Sequence, residues 1–302
     1  NRRIVSTISA ALLHGGPRGR IGELDISGVQ TNVLDRAIAT AMELGCVSEE
    51  AELLLATAKF VRRLRSVLQT GKWDFVEQMM VAEQGVDYHR AGNEEIELVR
   101  REVNNRRSLA MMQEGLATGQ VTGSIGHVEV DKVDTAKLDE AIEFTTAVGC
   151  HTAATAELFD TCRMMAALRR AVIRDDMQAG RKILQQHKSV ASVARGELSI
   201  IQQEIAAWQV TESLNAAVSG GMAVGGVGEL DASSPQVEIL DASIATARNL
   251  GCQTRAAQRC LLSAMIIRRL RGGLLKADWQ FVAQVLEQAD EQERDIVPAA
   301  KA

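Results

Sequence analysis

One block of sequence occurs three times in this chain, and it constrains the fold more than any other feature. The block covers residues 34–46, 138–150 and 240–252, so successive copies are offset by 104 and 102 residues. Each copy opens on Leu-Asp and ends on Gly-Cys. The likeness extends further, because residues 19–76 and 225–282 are identical at 27 of 58 positions. Such a repeat indicates an array in which each unit packs against itself and its neighbours.

The pattern within each copy predicts helices with defined ends. Apolar residues recur at helical spacing through the block. A glycine that can close a helix in the left-handed conformation follows in each copy (Gly45, Gly149 and Gly251). A hydroxyl residue that can cap a second helix comes soon afterwards (Ser48, Thr152 and Thr254). We therefore predict two principal helices per copy, then a short helix, then a long helix that leads into the next copy.

These elements predict an all-α fold, a tandem array of three homologous helical-bundle repeats of about 100 residues joined by long helices. The predicted domains are residues 1–85, an N-terminally truncated first repeat, residues 86–189, and residues 190–302 with a polar C-terminal tail. The repeat period of about 100 residues is similar to that of spectrin-type bundles. We find no counterpart of the Leu-Gly-Cys block in those bundles, so we assign no family. Because Asn1 falls inside a repeat, we expect the chain to be part of a longer protein.

Composition excludes several classes of function. Only three prolines occur in 302 residues, which favours helix throughout. The formal net charge of −5 argues against a nucleic-acid binder. No apolar run reaches the roughly 18 residues of a membrane span, so we predict no membrane association. The five cysteines are odd in number and form no Cys-x-x-Cys pair, which predicts reduced thiols and a cytoplasmic location.

Two charged positions match in every copy. An acid lies on the first helix (Asp35, Asp139 and Asp241), and a base lies on the second helix (Arg65, Arg169 and Arg271). The six residues could form a repeated ligand site or a structural salt bridge that fixes how the two helices cross. We favour the salt bridge and predict that Asp35 pairs with Arg65, with equivalent pairs in the other copies.

No catalytic residue, metal site or cofactor is predicted. The glycine-rich stretches lack the Gly-Lys-Ser/Thr and the βαβ context of nucleotide-binding loops. The five histidines do not fall at equivalent repeat positions, and no second ligand pair stands at zinc spacing from Cys150-His151. We therefore interpret the glycines as turns, the cysteines as small packed thiols, and the chain as non-enzymatic.

Two basic, amphipathic stretches, residues 59–76 and 259–282, offer candidates for partner binding. The candidate residues are Arg62, Arg63, Trp73, Arg268, Arg269 and Trp279. The favoured interpretation is that these are core helices with a solvated arginine face, and that both tryptophans are packed as anchors.

The function predicted from the sequence is a non-catalytic rod or scaffold segment of a larger intracellular protein, of cytoskeletal type, that binds other proteins. One alternative is a calmodulin- or light-chain-type binding module on the basic helices. Another is a regulatory arm of an enzyme whose catalytic domain lies outside this sequence.

Overall fold

A computed structural model describes residues 2–83, 85–187, 190–225, 231 and 235–296, with side chains described as far as residue 289. The chain is mostly helical, at 73 % helix. The predicted all-α class is therefore confirmed. Its aliphatic composition and scarcity of proline account for this, since most of its aliphatic residues are compatible with a helix and few prolines interrupt the helical hydrogen bonds.

The helices of the described residues recur in a fixed order. A leading helix is followed by a helix of 13 residues, then one of 20 or 21 residues, then a further helix. The first set is α1 (Arg2–Leu12), α2 (Asn32–Leu44), α3 (Glu49–Leu68) and α4 (Trp73–Ala82). The second is α5 (Arg90–Ala117), α6 (Ala136–Val148), α7 (Ala153–Ile173) and α8 (Met177–Gln186). The third is α9 (Arg195–Ser219), α10 (Glu238–Leu250), α11 (Arg255–Leu275) and α12 (Trp279–Ile296).

The loop after each leading helix contains a short antiparallel pairing. In the second set it forms strands β1 (Gly123–Ser124) and β2 (His127–Val128). In the other two sets it is a single bridge, between Arg18 and Asp25 and between Val224 and Asp231. Short 3₁₀ turns at Val130–Lys132 and Ser192–Ala194 complete the described elements.

The predicted helix ends are confirmed. The three stop glycines have φ angles of 73°, 84° and 81°, in the left-handed region that favours glycine. The amide of each donates to a carbonyl four residues earlier, on Ala41, Thr145 and Ala247. The three predicted caps accept hydrogen bonds from the amides three residues later, on Ala51, Thr155 and Ala257. Local chemistry therefore sets where the first helix stops and the second begins.

The chain divides into two compact units. The first comprises Asn1–Thr118 and Ala136–Arg163. Its core is almost wholly aliphatic and includes Ile8, Leu34, Leu54 and Ile96, all completely buried. At its edge the rings of Phe60 and Tyr88 stack at 4.8 Å between centroids. Burial of this apolar surface supplies the main stabilising free energy.

The second compact unit comprises Gly119–Thr135 and Met164–Ala302. Leu168, Ile201, Leu214, Leu240 and Ala264 are completely buried in it. The predicted repeat boundaries at 85/86 and 189/190 stay predictions, and the end of the predicted polar tail, residues 297–302, lies outside the described residues.

Within the described ranges, no helix combines the length and the apolar character that crossing a membrane requires.

Candidate functional site

The repeated arginine of the second helix is buried and fully hydrogen-bonded in the first unit. Arg65 on α3 has no exposed surface. Its Nε and Nη2 donate to the carboxylate of Glu95 on α5, at 2.9 and 2.6 Å. The remaining N–H groups donate to the backbone carbonyls of Leu12, His14 and Gln30. All five guanidinium donors are thus used, which is the condition under which a buried charge is tolerated.

Arg169 on α7 makes the equivalent arrangement in the second unit. Its Nε and Nη2 donate to the carboxylate of Glu197 on α9, at 2.8 and 2.9 Å. Its Nη1 donates to the carbonyl of Asp134, 3.0 Å away, in the position that Gln30 occupies around Arg65. Both charged side chains are essentially inaccessible. We call this two-point arginine–glutamate contact the clasp.

A second glutamate on the same helix contacts the loop that carries the short antiparallel pairing. Glu102 lies seven residues after Glu95 on α5 and accepts a hydrogen bond of 2.6 Å from the amide of Gly22. Glu204 lies seven residues after Glu197 on α9 and accepts one of 2.7 Å from the amide of Gly126. Seven residues are two helical turns, so both acids project from one face of the helix. We call residues 18–25 and 122–129 the glycine hairpins.

The tip of each glycine hairpin also approaches the cap of the following copy. A side-chain carbon at Gly22 would lie 2.9 Å from Cγ2 of Thr152, and one at Gly126 would lie 3.0 Å from Cγ2 of Thr254. These approaches are closer than ordinary carbon contacts, so a larger residue would displace the threonine, and the φ angles of 89° and 80° also favour glycine. The glycine-rich stretches are therefore packing elements in the two copies where the hairpin is described.

The predicted pairing of Asp35 with Arg65 is wrong. Asp35 instead accepts from Nε of Arg62, one helical turn earlier on α3, at 2.8 Å. Asp241 pairs with Arg268 in the same way, at 2.8 Å. In the middle copy Ala166 occupies the position of Arg62 and Arg268.

The reason for the error is burial. Arg65 points into the interior, where Glu95 and the backbone carbonyls surround it. Arg62 lies on the exposed side of α3, beside α2. The Asp35 and Arg62 side chains are 43 % and 46 % exposed, and pairs of that kind contribute only about 0–1 kcal/mol. Hydrogen bonding from Arg268 lowers the pKa of Asp241 below its usual value, in keeping with a formed surface pair.

The third arginine, Arg271 on α11, differs from the other two. Its Nη1 donates to Ala217 and Gln236 at 3.3 and 3.1 Å, and its Nη2 donates to Val218 at 2.6 Å, all to backbone carbonyls. Only 4 % of the residue is exposed. Among the described residues no carboxylate forms an ion pair with it.

The glutamates of the clasp were missed in the sequence because the register shifts. Arg65 and Arg169 are 104 residues apart, but Glu95 and Glu197 are 102 apart. An alignment anchored on the arginines places Glu95 opposite Ser199 and hides the acid. The repeated signal is a small residue, Glu three positions later, and a second Glu after seven more: Gly92, Glu95 and Glu102, then Ala194, Glu197 and Glu204.

The candidate partner-binding residues lie in different environments. Arg62 and Arg268 are engaged with the aspartates, and Arg63 reaches only 3.9 Å from Glu83 with most of its side chain exposed. The Arg269 guanidinium lies 5.6 Å from the centre of the Phe281 ring.

The two tryptophans differ from each other. Trp73 packs at the edge of the first core, and Arg106 lies over its ring at 4.1 Å. Trp279 is 57 % exposed. The interpretation of both tryptophans as core anchors is therefore wrong for Trp279.

The five cysteines are all free thiols. Burial is the larger cause that raises the pKa of both Cys150 and Cys252, which disfavours the reactive thiolate. Over the part of the chain that is described, no three His, Cys, Asp or Glu side chains cluster in a way that could hold a metal ion.

Comparisons of the chain with protein-family models, with curated proteins and with solved structures find no match. Any function must therefore be inferred from the chain's own residues.

Proposed function

We propose that this chain is a non-catalytic helical-repeat segment, a rod or scaffold within a larger intracellular protein, that mediates protein–protein interaction. It comprises three homologous repeats, residues 1–85, 86–189 and 190–302. Successive repeats are connected by the long leading helices α5 and α9, each of which contributes to two repeats.

The observation that carries this proposal is the use made of the recurring charged residues. The N–H groups of the repeated arginines Arg65 and Arg169 donate to a glutamate and to backbone carbonyls, which leaves no donor for a substrate. A catalytic site needs a group that is held in place and also accessible to the reacting atoms. The repetition is therefore accounted for by packing, as expected for a repeat protein whose function is to present surface.

Equivalent contacts between copies support the array. The glycine hairpin of copy one approaches Thr152 of copy two, and that of copy two approaches Thr254 of copy three, at nearly the same distance. Nearest-neighbour contacts repeated in this way are the characteristic energetic unit of a solenoid-like protein.

Affinity purification with the tagged chain tests the proposal. We expect the wild-type chain to retain defined proteins from lysate of its source cells, and a variant with Arg63→Glu and Arg269→Glu to lose part of that set. Both arginines lie at the surface, so the variant should keep its helical content. Retention of the same proteins by both chains and by an unrelated helical bundle would contradict the proposal.

One observation favours the calmodulin-type alternative, namely the exposed ring of Trp279 beside the basic end of α11. Against it, a partner that wraps around an isolated helix would have to extract α11, whose Ala257 and Ala264 are completely buried. Titration with calmodulin, with and without calcium, decides between them. Calcium-dependent binding that shifts the Trp279 emission and is lost in Trp279→Phe would favour the alternative.

A further inference from the structure

A groove lies between α3 and α4, on the outer side of this helix pair. The buried residues of α4, Val76 and Met80, belong to the core and do not line it. Each helix contributes a row of residues at positions i, i+3, i+4 and i+7, which begins at Arg63 on α3 and at Phe75 on α4. Each row therefore extends along two helical turns, about 10 Å. The space between the rows is about 550 Å³, which is room for several side chains of another molecule.

We call this space, which Lys72 and Glu83 also line, the α3–α4 groove. It is basic, although the net charge of the chain is −5. Its one lining acid, Glu83, already accepts a hydrogen bond of 3.1 Å from Tyr88. Arg63 reaches that acid only at 3.9 Å, with 62 % of its side chain exposed, and Nζ of Lys72 lies 5.6 Å from the centre of the Phe75 ring. Both cations are therefore within reach of carboxylates on another molecule.

The groove also has an apolar surface that is left uncovered. Phe75 is 54 % exposed, whereas Phe281, its equivalent in copy three, is partly buried. The difference follows from one position on the preceding helix, which is Val67 in copy one and Gly273 in copy three. A side-chain carbon at Gly273 would lie 3.0 Å from the Phe281 ring, so a valine there leaves no space for the ring. Val67 therefore keeps Phe75 at the surface and the groove open.

The same side of the helix pair is exposed in copy two, which has another copy before it and after it in the chain. The lining positions 66, 70 and 78 correspond there to Arg170, Arg174 and Lys182, and all three are exposed. The outward position of the groove is therefore a property of the repeat and does not depend on which copy carries it. The side is basic in copy two as well.

We propose that the α3–α4 groove binds an acidic amphipathic helix of a partner protein. The inference rests on the proposed function, because it specifies the site and the kind of partner that the scaffold binds. Two rows at helical spacing form the kind of surface into which the apolar face of a third helix packs. The apolar side chains of the partner contact Val67, Phe75 and Met79. Its carboxylates pair with Arg63 and Lys72, and this charge complementarity selects the partner.

Three synthetic helical peptides of about 18 residues serve as probes, a length that allows helix formation in water. They share leucines at positions i, i+3, i+4 and i+7, and they carry glutamate, glutamine or lysine at the remaining polar positions. Fluorescence anisotropy measures their binding to the full chain. We expect saturable binding of the glutamate peptide, binding at least about tenfold weaker for the glutamine peptide, and none for the lysine peptide. Equal binding of all three, or no binding of the glutamate peptide, would overturn the proposal.

Charge variants of the chain locate the ionic contacts. The double variant Arg63→Gln with Lys72→Gln should bind the glutamate and glutamine peptides equally, because the discrimination between them depends on these two cations. The matched control is Arg36→Gln with Lys59→Gln, which removes two exposed cations of the same unit outside the groove. It should retain the full discrimination, and an equal loss in both double variants would show that only net charge matters and would overturn the proposal.

Apolar variants locate the packing contact. Phe75→Ala should weaken binding of the glutamate and glutamine peptides by the same factor, about tenfold. Val81→Ala, on a residue of α4 that is exposed to a similar extent but does not line the groove, should leave binding unchanged. Both residues are at the surface, and circular dichroism verifies that both variants keep their helix. Unchanged binding in Phe75→Ala would overturn the assignment of the groove.

The outcomes separate this inference from the proposed function. If affinity purification yields partners but the glutamate peptide does not bind, the groove is wrong and the scaffold function stands. If the peptide binds but no partner is found, the scaffold function fails and the site remains. If phosphatidylserine vesicles bind and the glutamate peptide does not, the basic side contacts an anionic membrane surface, and the partner-helix proposal is overturned.

Discussion

At the scale of single residues, burial decides which of the charged pairs stabilise this protein. The clasp and the surface pairs have similar hydrogen-bond lengths, but Arg65 is inaccessible while Arg62 is nearly half exposed. Coulomb attraction in water at the surface is weak and screened, whereas an interior cation that loses its partner keeps its full desolvation cost. Contact distance alone would rank these pairs wrongly.

Removing one acid from each pair tests that difference. We expect Glu95→Ala to lower the free energy of unfolding by about 3–5 kcal/mol, because Arg65 would remain buried without a counter-charge. The matched change Asp35→Ala should lower it by no more than about 1 kcal/mol. Urea unfolding followed by circular dichroism measures both, and similar losses in the two variants would contradict the role given to burial.

The single tyrosine reports on the edge of the first core. Burial, with a smaller contribution from its hydrogen bond to Glu83, raises the pKa of Tyr88 to about 12. The folded chain then holds a proton that the unfolded chain releases near pH 10. The contribution of Tyr88 to the stability of the fold is therefore fully present below about pH 10 and is lost as the pH rises towards 12.

Ultraviolet titration of tyrosinate absorbance is unambiguous here, because the chain has one tyrosine. We expect the midpoint in native conditions to lie well above its midpoint in denaturant. Coincidence of the two midpoints would show that Tyr88 is not buried against Phe60.

At the scale of elements, adjacent glycines in α11 have opposite roles. A side-chain carbon at Gly272 would meet nothing within 4 Å, whereas one at Gly273 would lie 2.8 Å from Cγ2 of Val282 and 3.0 Å from the Phe281 ring. Gly272→Ala should therefore raise stability by up to about 1 kcal/mol through helix propensity. Gly273→Ala should lower stability, because α12 would have to move. Thermal unfolding of the two variants compares them directly. A higher melting temperature for both would contradict the packing of α12 on α11.

The glycine hairpin gives a second test among the elements. Gly126 has a φ of 80° and lies against Thr254, so Gly126→Ala combines backbone strain with a clash. We expect a loss of about 1–2 kcal/mol in the free energy of unfolding. The control is Gly28→Ala, where a side chain would meet open space and φ is not left-handed. An equal effect of the two changes in urea unfolding would show that the hairpin tip is not a packing contact.

For the whole molecule, the proposed array of repeats predicts that the loss of stability caused by one substitution stays local. In an array of repeats, stability is approximately a sum of unit and interface terms. Glu95→Ala should therefore increase amide hydrogen exchange in α3 and α5 and leave α10 and α11 unchanged. Exchange measured by mass spectrometry across the chain checks this, and a uniform increase would indicate one cooperative unit instead.

The sequence predicts the helices well and the clasp poorly, and both results have physical causes. Helix stops and caps depend on residues within a few positions, such as Gly45 and Ser48, so local sequence suffices. Glu95 and Arg65 lie 30 residues apart on helices that touch only after folding. Burial of an arginine also has no local signature, since Arg62 and Arg65 lie about one turn apart on the same helix, yet one side chain is half exposed and the other is inaccessible.

The clasp also determines which segments could be deleted from the chain without leaving a buried arginine unpaired. Arg65 and Arg169 each donate to a carboxylate on a helix further along the chain, so the stretch from one of these arginines to the other can be exchanged as a block. Removing residues 66–169 would join Arg65 to the residues that follow Arg169 and would give it Glu197 as its partner. A deletion of half that length would leave an arginine without an acid. Gene rearrangements that lengthen or shorten such a protein by whole copies would therefore preserve its interior, and those that divide a copy would not.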